Sequence, residues 1–244
     1  DDQPLAPTTA NRYRTNAHAC VLAAVEAGAI PTDPWPKRSR SRARRKVARP
    51  KATVDVRSLP GPATMAAAIA AMENLQPGSR VYQAMTAVAY YAGLRPSEVV
   101  MLRVRSLTLP EEGWGRIDVT EADISFDEPG EPKTGPRRVP IPPVLVELLR
   151  RWVEDNDLSD PDDLLSRTAK GTRPSTSNWG RAWHRALEST GQPPLRVYDC
   201  RHAAATTWLR AGVPLGETAR RLGHSVETLV GTYVGALESD EELG

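Results

Sequence analysis

Helical apolar spacing recurs along most of this 244-residue chain and is interrupted by one β-branched block. ATMAAAIAAMENL and SRVYQAMTAVAYYAGL place small and apolar residues at the intervals of amphipathic helices. WGRIDVTEADISF and RRVPIP are instead rich in β-branched residues, and Gly and Pro lie between them, which predicts antiparallel strands. Strands and helices do not alternate as in a parallel α/β fold. The sequence therefore predicts a mostly α fold with one small antiparallel sheet, of the α+β class.

Further helices are predicted on both sides of this sheet, each delimited by Gly or Pro. Gly93 ends the second Ala-rich helix, and Pro96 with Ser97 opens a short one through SEVVMLRV. Pro142 and Pro143 start PVLVELLRRWVEDN. The remaining predicted helices are STSNWGRAWHRALEST, YDCRHAAATTWLRAG, PLGETARRLG and SVETLVGTYVGAL.

A basic segment predicts where the chain divides. NRYRTNAHACVLAAVEAGA predicts a helix that ends at Gly28, and IPTDPWP follows as a stop. KRSRSRARRKVARPK, residues 37–51, then holds nine cations and no acid, although the net charge of the chain is only +2. Such a run is either a solvated linker or a strap along a phosphate backbone, and we favour the second. We expect a helical domain at 1–36, a basic linker at 37–58 and a larger domain at 59–244.

Composition excludes several classes of protein. No apolar run approaches the ~20 residues that cross a bilayer, and the N-terminus lacks a signal-peptide pattern. Cys20 and Cys200 lack metal-type spacing, so we expect free thiols and a cytoplasmic location, with no membrane partner. No carboxylate cluster or Gly-rich phosphate loop supports a metal nuclease or a P-loop ATPase. The chain begins DDQPLAP without methionine, and we expect a piece of a longer protein or a trimmed one.

Candidate functional residues stand at two helix junctions. In AGLRPSEVVMLR, Arg95 lies between a helix-ending Gly–Leu and a helix-starting Pro–Ser. In VYDCRHAAATTWLRAGVP, Asp199 is expected to cap a helix whose first turn holds Arg201 and His202. A cation there opposes the helix dipole, which makes Arg201 a candidate for function. Taken alone, Arg95 is equally a surface arginine, and His202 is more simply a partly buried histidine with its hydrogen bonds satisfied.

A third segment, RRLGHSVETLVGTYVGAL, places His224 on a turn and Tyr233 nine residues later. Alone, these are a polar turn residue and a core aromatic. In sequence with GLRPSE and DCRHA, however, LGHS and the following tyrosine resemble the tyrosine recombinase family, of the phage integrase type. The resemblance covers about residues 59–237, and NAHACVLAAVEAGAIPTDPWP is similar to the end of the family's helical core-binding domain.

The resemblance implies an enzyme that cleaves and rejoins double-stranded DNA at attachment sites. Tyr233 would attack a phosphodiester to give a 3′-phosphotyrosyl link that stores the bond energy, so no metal or ATP cofactor is expected. Arg95 and Arg201 would hold the non-bridging oxygens, because a guanidinium donates two parallel hydrogen bonds and stays charged. His224 would donate a further hydrogen bond. The implied assembly is a homotetramer on DNA, with a monomer as the free form.

Lys133 and Tyr198 complete the implied site. The family carries a lysine on the turn of its small sheet as the acid for the leaving 5′-oxygen, and EPKTGPRRVPIP matches it at Lys133. We favour this role over the alternative of an exposed turn lysine. Tyr198 stands where the family usually has histidine, and we expect it to orient a phosphate oxygen. Its phenol is a poor base at neutral pH. Tyr198 is also a rival nucleophile, which we reject because it precedes the helix of Arg201; Tyr90 and Tyr91 are better explained as core aromatics.

Two alternatives remain open at this stage. A non-catalytic helix-turn-helix protein would account for GETARRLGHSVETLVGTYV and the basic segment, but VETLVGTY is poor in residues that recognise bases. It also leaves Arg95, Lys133 and Arg201 unexplained. The second alternative is a degenerate recombinase, or an enzyme like type IB topoisomerases, in which the Tyr198 substitution weakens or redirects the chemistry.

Overall fold

A computed structural model of the chain describes residues 5–35, 59–75, 78–125, 128–168 and 171–238. The predicted basic linker at 37–58 and the last six residues lie outside the described part. The chain divides into two compact units, Asp1–Arg49 and Pro50–Gly244, which are described separately. The domain boundaries expected from the sequence remain a prediction.

The first unit contains one long helix, α1 (Pro7–Glu26), which begins four residues before the predicted segment and ends just before Gly28. Proline at its first position suits a helix start, because the missing N–H has no intrahelical partner there. The chain after the helix folds back onto it. His18 Nε2 lies 2.9 Å from Asp33 Oδ2, and the His18 ring stacks on Trp35 with ring centroids 5.1 Å apart.

The second unit is mostly helical, which confirms the predicted fold class. Most of its helices lie close to the predicted segments, but the short helix predicted through SEVVMLRV ends at Val99, and Val104–Ser106 forms a separate 3₁₀ turn. Their bounds are α2 (Pro62–Ala71, extended by a 3₁₀ turn at Met72–Asn74), α3 (Arg80–Tyr91), α4 (Pro96–Val99), α5 (Pro143–Asp155), α6 (Thr176–Ser189), α7 (Val197–Arg210), α8 (Leu215–Leu222) and α9 (Val226–Glu238).

The strands form two small antiparallel sheets where the sequence predicted one. Strands β1 (Leu107–Thr108), β2 (Gly115–Val119) and β5 (Arg137–Ile141) pair in the order β1-β2-β5. Strands β3 (Ala122–Ser125) and β4 (Glu128–Gly130) pair separately. Because β1 and β5 occupy both edges of β2, β3 cannot pair with β2, the strand that precedes it. It pairs with β4 instead. The turn at 131–136 between β4 and β5 carries Lys133.

Helix α3 lies at the centre of the core, since nine of its twelve residues are buried. It packs against α2, α5, α6 and α7, and the indole N–H of Trp179 on α6 donates to Thr86 Oγ1 on α3 (2.8 Å). A smaller apolar cluster joins α7, α8 and α9. Its buried members are Ala205, Ala219, Leu222, Leu229 and Tyr233. This cluster holds α8 and α9, which flank the turn of His224 and include Tyr233, against α7, which carries Arg201.

The start of α7 corrects one sequence expectation. Asp199 is the third residue of the helix and does not precede it: its carboxylate accepts a hydrogen bond from the backbone N–H of Arg196 (Oδ2, 2.9 Å). The predicted cap was therefore three residues late, because an aspartate can satisfy a helix start from inside the first turn. Arg201 and His202 consequently lie in the second turn, where the dipole opposes a cation less.

Among the described residues, no helix is long and apolar enough to cross a membrane.

Candidate active site

Three successive backbone carbonyls at the C-terminal end of α8 each accept a hydrogen bond from a different arginine. The pairs are Arg137 Nε to Arg221 O (2.7 Å), Arg201 Nη2 to Leu222 O, and Arg95 Nη2 to Gly223 O (3.0 Å). The last carbonyls of a helix lack intrahelical donors and carry partial negative charge. One helix end thus brings together three cations that are far apart in the sequence.

Glu98 holds two of these arginines from the other side. Its buried carboxylate accepts from Arg137 Nη1 and Nη2 (2.8 and 2.7 Å), from Arg95 Nη1 (2.8 Å) and from the Arg95 backbone N–H (2.8 Å). Burial alone would raise the pKa of the Glu98 carboxyl, but the hydrogen bonds and charges of Arg137 and Arg95 lower it below its usual value. Glu98 is therefore ionised at neutral pH and fixes the orientation of both guanidiniums.

Arg201 is the most enclosed of the three arginines, with 1% of its surface exposed. Besides Leu222 O, it donates to Gly93 O (2.6 Å), so it links the C-terminal ends of α8 and α3. Burial and the charge of Arg95 lower the pKa of Arg201 to about 10, which leaves it cationic at neutral pH. Its Nε is buried and has no hydrogen-bond partner. A buried donor without a partner is costly, on the order of 1–3 kcal/mol, and an anion at this position would satisfy it.

His224 lies on the turn between α8 and α9 and contacts Arg201. Arg201 Nη2 is 3.0 Å from His224 Nε2, and burial, together with the charges of Arg201 and Arg95, lowers the pKa of His224 to about 4. The ring is therefore neutral at pH 7. With Arg201 donating to Nε2, the ring proton is on Nδ1, which is buried without a partner. His224 and Arg201 together present two unpaired buried N–H groups.

Tyr233 lies beside this group, with none of its surface exposed. Its hydroxyl is 2.7 Å from Nδ1 of His202 on α7. The backbone of α9 departs from helical geometry at Tyr233, with φ −120° and ψ 18°. Burial raises the pKa of the Tyr233 phenol, and the charge of Arg201 offsets part of that rise. In this structure the phenol is therefore protonated and shielded from water.

Lys133 is exposed on the turn that follows β4. The turn is placed by its neighbour Thr134, whose hydroxyl accepts from Arg95 Nη1 (3.3 Å). It approaches the His224 turn closely: Gly223 has φ +62°, and a Cβ added there would lie 2.4 Å from Thr134 Oγ1. Glycine is therefore required at Gly223 both by the left-handed backbone and by this approach. Lys133 thus lies next to the residue that contacts Arg95.

Tyr198 is partly exposed (37%) and does not occupy the buried position of Tyr233. Its ring meets the His202 ring edge-on, with centroids 5.1 Å apart. Tyr90 and Tyr91 contact each other, and Tyr90 is buried in the core. The candidate residues Arg95, Arg201 and His224 thus form one hydrogen-bonded group. Tyr233 is bonded to His202, which follows Arg201 directly in the chain, and Lys133 and Tyr198 are exposed.

Sequence reasoning missed two contributors, Glu98 and Arg137, and gave His202 no functional role. Glu98 was visible as a residue three positions after Arg95, the spacing of a capping contact. Arg137 follows the lysine turn and alternates with exposed Arg138 along β5, which marks it as inward-facing. His202 was interpreted only as a partly buried histidine, because its partner Tyr233 is 31 positions away. Among the described residues, no group of three His, Cys, Asp or Glu side chains is arranged to hold a metal ion.

Solved structures with a similar fold define the class of this chain. The Tn1549 transposon integrase in complex with transposon right end DNA matches with a TM-score of 0.64 and 15% identity, over 98% of this chain and 79% of that one. The XerA recombinase matches with a TM-score of 0.60 and 22% identity, over 80% of this chain and 65% of that one. The fold is that of tyrosine recombinase catalytic domains.

The sequence model of the phage integrase family matches residues 62–239, and the chain belongs to this family. A protein described as prophage phiRv2 integrase from Mycobacterium tuberculosis is 30% identical over 149 residues, which are 59% of this chain and 40% of that protein. Excisase C of Nostoc sp. is 29% identical over 148 residues, 58% of this chain and 26% of that protein. The chain thus matches less than half the length of these relatives.

Proposed function

We propose that this protein is a site-specific DNA recombinase that cleaves and rejoins strands through a 3′-phosphotyrosyl intermediate, with Tyr233 as the nucleophile. The observation that carries the proposal is the pair of unpartnered buried N–H groups on Arg201 and His224, set in a site of three arginines. A phosphodiester supplies the charge and the acceptor oxygens that such a site lacks. Family membership and the DNA-bound structures of similar fold support DNA as the substrate.

The proposed roles combine the geometry of the site with the family resemblance. Arg95 and Arg201 receive the two non-bridging oxygens, and His224 Nδ1–H donates to one of them. In the pentavalent transition state these oxygens gain negative charge, which fixed donors stabilise without rearranging. Lys133, which is exposed, donates a proton to the departing 5′-oxygen. Tyr198 contributes a hydroxyl and takes no covalent part.

Tyr233 is buried in this structure, so attack requires the bound strand to gain access to its hydroxyl. The helical geometry of α9 is interrupted at this residue. Four copies on paired attachment sites, one tyrosine for each strand exchanged, form the proposed assembly.

An SDS-resistant protein–DNA adduct tests the proposal. Nicked suicide duplexes carrying the DNA that flanks the gene would be incubated with the wild-type protein, Tyr233→Phe and Tyr198→Phe. The last is the matched control, because it removes the same hydroxyl from the rival tyrosine. We expect an adduct with the wild type and Tyr198→Phe and none with Tyr233→Phe. An adduct that survives Tyr233→Phe contradicts the nucleophile, and binding without any adduct favours a DNA-binding protein that does not cleave.

A further inference from the structure

The contact between His202 and Tyr233 is not explained by packing alone. His202 Nδ1 is 2.7 Å from the Tyr233 hydroxyl, which is within the range of a short O–H···N hydrogen bond. The hydroxyl is shielded from solvent, since no part of Tyr233 is exposed. His202 is thus the side chain bonded to the atom that would attack the phosphate.

The usual candidate for proton removal is lacking in this chain. Tyr198 occupies the position where the resemblance predicts histidine, and a phenol lacks the basic nitrogen with which an imidazole takes up a proton. The Tyr198 ring packs edge-on against His202. Tyr198, which replaces the expected histidine, therefore contacts His202, whose imidazole is hydrogen-bonded to Tyr233.

We propose that His202 is a catalytic residue of this reaction, in which its Nδ1 accepts the proton of the Tyr233 hydroxyl during attack. The inference rests on the function proposed above. The required state is a neutral imidazole with its proton on Nε2 and the Tyr233 O–H donating to Nδ1.

The step balances without any further reactant. As the Tyr233 oxygen forms a bond to phosphorus, its proton passes to His202 Nδ1. The bond from phosphorus to the 5′-oxygen breaks, and that oxygen takes a proton from Lys133. In the rejoining step the directions reverse: a 5′-hydroxyl attacks, Lys133 takes its proton, and the His202 imidazolium returns a proton to the departing phenolate.

The surroundings of His202 favour the neutral form before DNA binds. Burial lowers the pKa of His202, the Arg196 and Arg201 charges act in the same direction, and Asp199 opposes them. The other titratable groups that face it are Tyr198 on α7, Tyr233 on α9 and His224 on the turn before α9. The phosphate of a bound DNA adds a negative charge near the site, which stabilises the imidazolium as it forms.

Single-turnover rates of adduct formation test the assignment. His202→Asn keeps a hydrogen-bond acceptor near the Nδ1 position but has no basic nitrogen, whereas His202→Ala removes both. A base contributes on the order of 10²- to 10⁴-fold, so we expect His202→Asn to react at least about 10²-fold more slowly. We also expect the wild-type rate to rise with pH as His202 loses its proton, and His202→Asn to lack this rise. The matched control is His184→Asn, the same substitution at an exposed histidine of α6, which should react at the wild-type rate.

Two outcomes overturn the inference. If His202→Asn forms adduct within a few-fold of the wild-type rate and with the same pH profile, His202 only holds Tyr233 in place. If His202→Asn does not fold or bind DNA, added imidazole is tested with His202→Ala, and a DNA-binding His202→Ala that imidazole fails to accelerate also contradicts a base. Failure of the proposed function has a different result: the wild type forms no adduct, or Tyr233→Phe still forms one.

Discussion

Arg137 and Glu98 form a two-pronged ion pair inside the second unit, with Nη1–Oε1 and Nη2–Oε2 distances of 2.8 and 2.7 Å. Side-chain exposure is 5% for Arg137 and 1% for Glu98. Both partners also reach the candidate active site, because Glu98 bonds Arg95 and Arg137 bonds the end of α8. The pair therefore connects β5, and the lysine turn before it, to the arginine group.

Removing one partner should destabilise the fold strongly. Arg137→Met leaves the Glu98 charge buried with only Arg95 to balance it, and breaking a buried pair in this way costs about 3–5 kcal/mol. The neighbouring Arg138→Met is the control, since Arg138 is 74% exposed and its ion pair with Asp118 is worth less than about 1 kcal/mol. Urea unfolding of both variants measures the difference. Equal losses would contradict the structural role of the buried pair.

Gly223→Ala should be more harmful than the same change at Gly212. Both glycines have positive φ (62° and 79°), so both substitutions incur the left-handed penalty of roughly 1–2 kcal/mol. Only at Gly223 would the new Cβ meet another atom, Thr134 Oγ1 at 2.4 Å. Thermal unfolding compares the two, and adding Thr134→Ala to Gly223→Ala should recover part of the loss. No recovery in the double variant would show that the contact is not the cause.

Stability should fall with acid between pH 6.5 and about 4 because of His224. Its pKa drops from 6.5 to about 4 on folding, so in this window the unfolded chain binds more protons than the folded one. The contribution of His224 to the free energy of unfolding is complete above pH 6.5 and is lost as the pH falls toward 4. His202, whose pKa is also lowered, changes the stability in the same direction. Urea unfolding from pH 7 to 4 should give a shallower decline for His224→Asn. A decline as steep as that of the wild type, or of the His184→Asn control, would contradict this prediction.

Lys133→Ala should slow adduct formation by on the order of 10²- to 10⁴-fold on ordinary DNA. The defect should disappear on a substrate whose 5′-bridging oxygen is replaced by sulfur, because a thiolate leaves without being protonated. Arg95→Ala serves as the comparison, since sulfur at the leaving position does not replace a donor to the non-bridging oxygens. If sulfur fails to rescue Lys133→Ala, this lysine is not the acid.

The two cysteines should react at very different rates with a thiol reagent. Cys200 is buried with 1% exposure, and burial raises the pKa of its thiol, whereas Cys20 on α1 is exposed. We expect one fast-reacting thiol in the native protein and two in denaturant, counted by absorbance with an aromatic disulfide. Cys20→Ser should abolish the fast reaction. A fast thiol remaining in Cys20→Ser would contradict the buried placement of Cys200.

The helices and the fold class could be predicted because helical spacing and the flanking Gly and Pro residues are local signals. The local pattern did not give the pairing of β3 with β4, which depends on β1 and β5 having already taken both edges of β2. It also placed the N-cap of α7 three residues late, because the sequence does not distinguish an aspartate in the first turn of a helix from one that precedes it.

The residues of the candidate site also divide into those with a local sequence signal and those that depend on tertiary contacts. Arg95, Arg201, His224 and Tyr233 were proposed as site residues from ordered motifs, which a resemblance detects. The partners Glu98, Arg137 and His202 act through contacts between distant segments, as in the bond from Arg137 to Glu98 across 39 positions. Such contacts depend on how the elements pack, and they cannot be predicted from the residue types alone.

The end of α8 is a common attachment point for the site. Because Arg95, Arg137 and Arg201 are each bonded to a neighbouring carbonyl of this one helix end, a shift of α8 would lengthen all three hydrogen bonds at once. The three side chains come from the start of α4, from β5 and from α7, so a single helix end determines how three separate parts of the fold direct their charges to one place.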